Sequence, residues 1–327
     1  MRALILSNML PDGAHPERGR FVRDQAQALG RLDGVEVELY EFPPGARALI
    51  RAGPELRRRF AHPRPLGPAA GERRGWDVVH AHFGLTAWPA LAVPARARAL
   101  TVHGTDVRHP RTRLATAAVL PFMDILAAAS APLAAELPTR AARRRALVLP
   151  CGVDTERFHP IPRAEARAEL GLEAEAAYVL FAADPARPGK RHDRAVALAG
   201  AAGAELLSLG GVDPSRVPLW VNAANAVLVP SEHEGFGLAV LEALACEVPV
   251  LATPVGIHPE ALRGVEGTLC APFDVARWGE TLSPHLHDPD PRVRGRANAE
   301  RFSAARMAER VAAAWREALE RSGSRAG

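Results

Sequence analysis

Among 327 residues the sequence has one lysine, two tyrosines and three cysteines, and its aromatic side chains amount to only 5%. The cysteines, Cys151, Cys246 and Cys270, show no CxxC spacing, which excludes a disulfide scaffold and a zinc finger. Scarce aromatics, with no RNP-type stretch, exclude a base-stacking platform, so no nucleic-acid partner is expected despite the net charge of +4. No apolar run approaches the ~18 residues of a membrane span, and the run at Ala3 to Leu6 is far too short for a signal peptide. A cytoplasmic chain is therefore expected. The stretch from Asn8 to Gly13 has no G-x-G-x-x-G, which argues against a dinucleotide-dependent dehydrogenase.

What is abundant is alanine, glycine, proline and arginine. Forty of the 41 basic residues are Arg and the exception is Lys190, a pattern of coding bias in which most Arg are surface filler. Charge is unevenly placed: residues 1–150 carry a net +9 and residues 151–327 a net −5. Only the first half is suited to an anionic partner.

At this length a single core gives way to two, since cores seldom grow past ~250–300 residues. Short apolar runs alternate with Ala/Arg/Glu-rich amphipathic stretches, the pattern of parallel sheets with crossover helices. The first half predicts strands at 3–7, 35–40, 78–81, 99–102, 125–128 and 146–149, with helices at 18–29 and 46–60. The second predicts strands at 178–182, 205–209, 226–229, 248–252 and 267–270, and a closing helix at 303–321. The expected fold is α/β, with one Rossmann-like domain over 1–150, a second over 151–302, and a helix at 303–327 crossing back toward the first. Ligands bind at the carboxyl ends of such strands, here in a cleft between the domains.

The strongest motif runs from Pro230 through Glu234-Gly-Phe-Gly-Leu238 to Glu242 and Val250. It reads as a strand end, a glycine-flanked turn and a helix starting near Gly237. Glycines let backbone approach a ligand, and free N–H groups at the helix start can hold a phosphate. Glu234 precedes the helix and Glu242 lies about a turn and a half inside it. Two carboxylates so placed suit the vicinal hydroxyls of a sugar and a ribose.

This segment resembles the Glu-x7-Glu signature of retaining glycosyltransferases of family 4, which have the GT-B fold of two Rossmann-like domains facing across a cleft. Phe21-Val-Arg-Asp-Gln25 after Gly19, Trp76-Asp-Val-Val-His-Ala-His82, Thr101-Val-His-Gly-Thr-Asp106 and Cys151-Gly-Val-Asp-Thr-Glu-Arg-Phe158 resemble the family's successive landmarks. Asp184-Pro-Ala-Arg-Pro-Gly-Lys-Arg191 stands where the family places its diphosphate-binding cations. The resemblance implies that Glu234 touches the donor sugar's hydroxyls and Glu242 the nucleotide ribose. It implies that the backbone from Gly235 through Phe236, Gly237 and Leu238 meets the diphosphate, which Arg187 and Lys190 neutralise. His103 would hydrogen-bond the sugar near the reacting carbon, and Gly19 would let the first loop close over the phosphates. No metal and no cofactor is implied. The partners implied are a nucleotide-diphosphate sugar and a glycan or lipid-linked acceptor, in polysaccharide or glycolipid assembly. The basic clusters Arg57-Arg58-Arg59 and Arg140 with Arg143-Arg144-Arg145 would suit peripheral contact with an anionic membrane on its inner face.

The sequence departs from the family pattern at Cys151, often Asn, and at Glu247, often Gly. The Arg187–Lys190 spacing is short, so Arg191 competes with Arg187. Other signals have blander readings. His80 and His82 share one face of a strand and could ligate a metal, but no carboxylate or Cys completes the set. Asp288-Pro-Asp290 resembles a metal-binding DxD but has turn composition. The three cysteines lack a nucleophile's partners, and Asp106 reads as a loop anchor or cap. A two-carboxylate glycosidase leaves the cationic loop unexplained. The remaining alternative is a nucleotide-sugar-binding subunit without catalysis.

Overall fold

The computed structural model describes residues 1–13, 15–60 and 75–324. By its contacts the chain divides into two compact units. The first comprises residues 1–12, 18–151 and 305–327, and the second residues 13–17 and 152–304.

The first unit is built on a six-stranded parallel sheet of β1 (Arg2–Ser7), β2 (Glu36–Glu41), β3 (Trp76–His82), β4 (Ala95–Val102), β5 (Ile125–Ala128) and β6 (Leu147–Val148), in the order β2-β1-β3-β4-β5-β6. Leu4, Ile5, Leu6, Val78, Val79 and Leu100 are buried, as expected of strands covered on both faces. The helix Arg20–Gly30 follows β1 and the helix Ala46–Phe60 follows β2. In the latter, Ala52, Leu56 and Phe60 form the buried stripe, while Ile50 is 75% exposed. The helix Ala304–Ser324 belongs to this unit from residue 305 on, with Met307, Val311 and Trp315 buried. Trp315 meets His80 of β3 edge-on at 5.7 Å between ring centres.

The second unit carries a five-stranded parallel sheet of β7 (Tyr178–Phe181), β8 (Glu205–Ser208), β9 (Ala226–Val229), β10 (Val250–Ala252) and β11 (Leu269–Cys270), in the order β11-β10-β9-β7-β8. Its core packs Val179, Phe181, Leu228 and Leu251 against Leu198, Trp278 and Leu282. The last two lie on the helix Val275–His287, whose start is capped by the Asp274 carboxylate accepting from Arg277 N–H.

Both sheets reverse strand order beside their first strand, at β1/β3 and at β7/β9. Such switch points open a crevice at the strand carboxyl ends, where α/β proteins bind ligands. Observed strands differ from the expected ones mainly at their ends. β4 begins at Ala95, four residues before the expected 99; Ala95-Arg-Ala-Arg98 alternates small and charged residues without the β-branched signature that marks a strand in sequence. Arg96 there bonds Asp77 of β3. β10 begins only at Val250, after Pro249, which has no N–H for a ladder.

Candidate active site

Two site residues expected from the sequence, Gly19 and His103, belong to the first unit, and the other eight to the second. All ten follow strand carboxyl ends.

In the first unit Gly19 precedes the helix Arg20–Gly30 with φ 70°. A Cβ there would lie 2.4 Å from the Met9 carbonyl oxygen, so only glycine fits. On β3, His80 and His82 share a face, as two-residue spacing dictates. The His80 and His82 rings stack at 4.8 Å, while the His82 and His103 rings lie nearly coplanar, edge to edge, with centres 5.1 Å apart. His80 Nε2 lies 2.8 Å from Thr101 Oγ1, and His82 Nδ1 lies 2.9 Å from His103 Nε2. Gln25 Nε2 approaches the other nitrogen of His82 at 3.3 Å. Phe21 and Phe83 hold the His103 ring at 4.7 and 4.8 Å. Phe83 has φ 72°, a strained setting for a bulky residue at the end of β3. Burial drives His80 and His103 down to about 3, and His82, with its histidine neighbours adding to burial, well below its ordinary value. All three are neutral imidazoles at physiological pH.

Asp106 anchors the turn after β4. Its carboxylate accepts the N–H groups of His103 (3.1 Å), Gly104 (2.8 Å) and Gly84 (3.3 Å). Burial raises its carboxyl above the ordinary value against the pull of those donors. With both His82 nitrogens engaged, the His80/His82 pair offers no metal site. Among the described residues no three His, Cys, Asp or Glu side chains form one. Asp288 and Asp290 make a turn, the Asp290 N–H donating to Asp288 Oδ1, with Asp290 paired to Arg292 at 2.8 Å.

In the second unit the loop after β7 brings Lys190 to Glu234 of the loop after β9. Lys190 Nζ lies 2.6 Å from Glu234 Oε1, with side-chain exposures of 17% and 9%. Ser231 Oγ donates to the same oxygen at 2.8 Å. Burial pushes the Glu234 carboxyl up, but the Lys190 ammonium, helped by His258 and Ser231, outweighs it and holds the group below its ordinary value. Glu234 is thus a carboxylate and not a proton donor. Arg191 is engaged by Asp193 (2.7 and 2.8 Å) and Glu232 (2.7 Å), whereas Arg187 is exposed with no side-chain bond among the described residues.

The helix Leu238–Ala245 starts at Gly237, φ 108°, with no side-chain cap, so its first N–H groups point outward unpaired by a cap. Glu242 sits in its second turn. Gly237 must be glycine because His258 Nε2 lies 2.4 Å from where its Cβ would be. Gly256, φ 59°, is equally constrained, its Cβ position being 2.2 Å from the Phe236 carbonyl oxygen. Thr253 Oγ1 donates to the Ser231 carbonyl and His258 Nδ1 to the Thr253 carbonyl, tying the turn after β10 to the Glu234 loop. Ser231, Gly256 and His258 went unnoticed in the sequence. Ser231 lies within the motif and could have been marked as a nearby hydroxyl, but nothing local announces His258.

Burial pushes the Cys151 and Cys246 thiols up to about 12 and raises that of Cys270, which disfavours the thiolate at all three.

Residues 19–157 match the family model for glycosyltransferase family 4, and residues 177–302 that for glycosyl transferases group 1. A D-inositol 3-phosphate glycosyltransferase of Thermobispora bispora is 32% identical over 75% of this chain and 72% of its own. The protein of that name from Actinosynnema mirum is 31% identical over 92% of each. Among solved structures, sucrose-phosphate synthase of Thermosynechococcus elongatus superposes with a TM-score of 0.68 at 20% identity, covering 97% of this chain and 99% of that one. HepE of Anabaena in complex with UDP-glucose superposes with a TM-score of 0.64 at 16% identity, covering 95% and 98%. The two units are the Rossmann-like domains of the GT-B fold. By sequence relationship and architecture alike, the chain belongs to the glycosyltransferases of family 4.

Proposed function

We propose that this glycosyltransferase moves a sugar from a nucleotide-diphosphate donor to a hydroxyl acceptor, with retention of anomeric configuration and without a metal ion. The observation that carries this reading is the Lys190–Glu234 pair beside the uncapped start of the helix Leu238–Ala245. A fixed ammonium and a helix N-terminus suit a phosphate whose charge grows as the glycosidic bond breaks, and such preorganised charge is a large contribution to catalysis. Arg187 is the second cation, since Arg191 is already held by two carboxylates. An ionised Glu234 accepts hydrogen bonds from sugar hydroxyls. A glycosidase acid needs the opposite, a raised pKa. Glu242 takes the ribose hydroxyls, His103 the donor sugar, and the Gly235 to Leu238 backbone the diphosphate. Gly19 gives the first loop its approach to the phosphates.

The relatives' name suggests that the acceptor carries a phosphate, as does the +9 charge of residues 1–150. Such an acceptor fits glycolipid or polysaccharide assembly. The test is turnover of UDP-glucose in EDTA, with the product anomer read by NMR. The α-linked product in EDTA supports the reading, and activity restored only by Mg²⁺ or Mn²⁺ overturns its cationic-loop mechanism. Glu234→Gln should lower kcat, whereas Glu242→Gln should mainly raise KM.

A further inference from the structure

Gln25, His82 and His103 form a hydrogen-bonded chain, and the Gln25 amide, nitrogen toward His82, sets where each proton resides in it. Gln25 is 6% exposed and His82 fully buried. Both imidazoles are neutral, so each has one N–H and one lone pair. The Gln25 amide nitrogen is a donor only, and it faces His82 Nε2 at 3.3 Å. His82 then accepts at Nε2 and carries its proton on Nδ1. That Nδ1–H points to His103 Nε2 at 2.9 Å, which must accept. The His103 proton is left on Nδ1, the atom with no hydrogen-bond partner among the described residues.

The ring cannot readily turn over to exchange its nitrogens. Phe21 and Phe83 flank it, the bond from His82 holds its Nε2 edge, and its backbone N–H is fixed by Asp106. We propose that Gln25 and His82 are positioning residues that set the tautomer of His103, so that it presents an N–H donor to the donor sugar. This rests on the reading that His103 meets that sugar. It adds a selectivity. The sugar oxygen at this point must accept, and its own hydroxyl proton is free to bond elsewhere. A donor with fluorine at that carbon keeps an acceptor and should be used better than one with hydrogen there.

The experiment uses the full chain labelled with ¹⁵N-histidine, with the tautomer of each ring read from two-bond ¹H–¹⁵N correlations. His82 and His103 should both be Nδ1–H. Gln25→Glu presents only acceptor oxygens and should reverse the chain, moving both protons to Nε2. Should the buried carboxylate prevent folding, Gln25→Met keeps the side chain's length, removes the donor, and should give a mixture of tautomers. With UDP-glucose as probe, kcat/KM of Gln25→Glu should fall on the order of tenfold, as expected for one hydrogen bond lost in the transition state, with kcat carrying most of the loss. An Nε2–H tautomer for His103 in the unaltered protein, or tautomers unchanged in the variants, would overturn the proposal. Reversed tautomers with unchanged kcat/KM would instead remove His103 from the sugar site, and with it the proposed selectivity.

Discussion

Lys190 is the only lysine among 41 basic residues, and it is the one whose nitrogen is fixed 2.6 Å from a shielded carboxylate oxygen. A compact ammonium fits between Glu234 and a phosphate, while the broader guanidinium fork imposes different angles. Lys190→Arg should keep the melting temperature yet lose about 2–3 kcal/mol of transition-state stabilisation, roughly 30- to 150-fold in kcat/KM. The exposed Arg58→Lys should be silent. Near-normal turnover of Lys190→Arg would mean that the lone lysine is an accident of composition. The clustered histidines make a second prediction, of acid sensitivity. His80 and His103 ordinarily titrate at 6.5 but at about 3 when folded. Between those values the unfolded chain binds more protons, so the stability that neutral burial confers is complete above 6.5 and declines as pH falls. Each such histidine should remove about 1.4 kcal/mol per pH unit within that window. Denaturant melts of tryptophan fluorescence at pH 7, 6 and 5 test this, and a midpoint independent of pH would refute it. Glu234, Glu242 and Lys190 could be singled out as candidates from the sequence because each sits in a short motif. Gln25 could not be joined to His82, 57 positions away, because a tertiary hydrogen bond leaves no local trace.

At the scale of single elements, the helix Leu238–Ala245 ends in a Schellman motif. Val248 N–H reaches the Ala243 carbonyl and Glu247 N–H the Leu244 carbonyl, both at 3.0 Å. The left-handed residue of that motif is Glu247, φ 59°, where glycine is the usual occupant. A Cβ in this conformation costs roughly 1–2 kcal/mol, partly offset by the greater freedom of an unfolded glycine. Glu247→Gly should therefore stabilise the second unit by about 0.5–1 kcal/mol, a rise of roughly 1–4 °C in its melting temperature. A lower melting temperature would show that the Glu247 side chain does more than occupy the turn. The departure from the family's glycine was visible in the sequence, but the positive φ behind it was not. The helix Ala46–Phe60 has the bounds its sequence predicts, because its apolar positions keep helical spacing through Pro54. Strand ends were harder, since alanine and arginine carry little β-preference and their pairing partners lie far along the chain.

Over the whole molecule the charge of residues 1–150 has a structural counterpart. Arg59 lies over Phe60 and pairs with Glu38, and Arg143 and Arg145 donate to the Leu137 and Leu120 carbonyls. Among the outward residues of the helix Ala46–Phe60, Arg47, Ile50, Arg51, Pro54 and Arg58 make one exposed face, with Arg57 exposed beside it. Basic residues near an anionic bilayer contribute about 1 kcal/mol each, so this face should bind phosphatidylglycerol vesicles at low salt. Co-sedimentation should vanish at high salt and in an Arg47, Arg51, Arg58→Gln variant. Absence of salt-sensitive binding would reduce the face to ordinary solvated surface. No helix among the described residues is long and apolar enough to cross a membrane. The two-unit organisation was legible because strand and helix periods repeat through both halves, whereas the place of residues 13–17 in the second unit left no periodic trace. Residues 152–304 form one block of the second unit, and the first unit resumes at residue 305. Synthesis on the ribosome therefore delivers that whole block before the helix bearing Met307, Val311 and Trp315 exists. The domain that begins first is the last to be completed, and until then its nascent chain exposes the apolar surface that these side chains will cover.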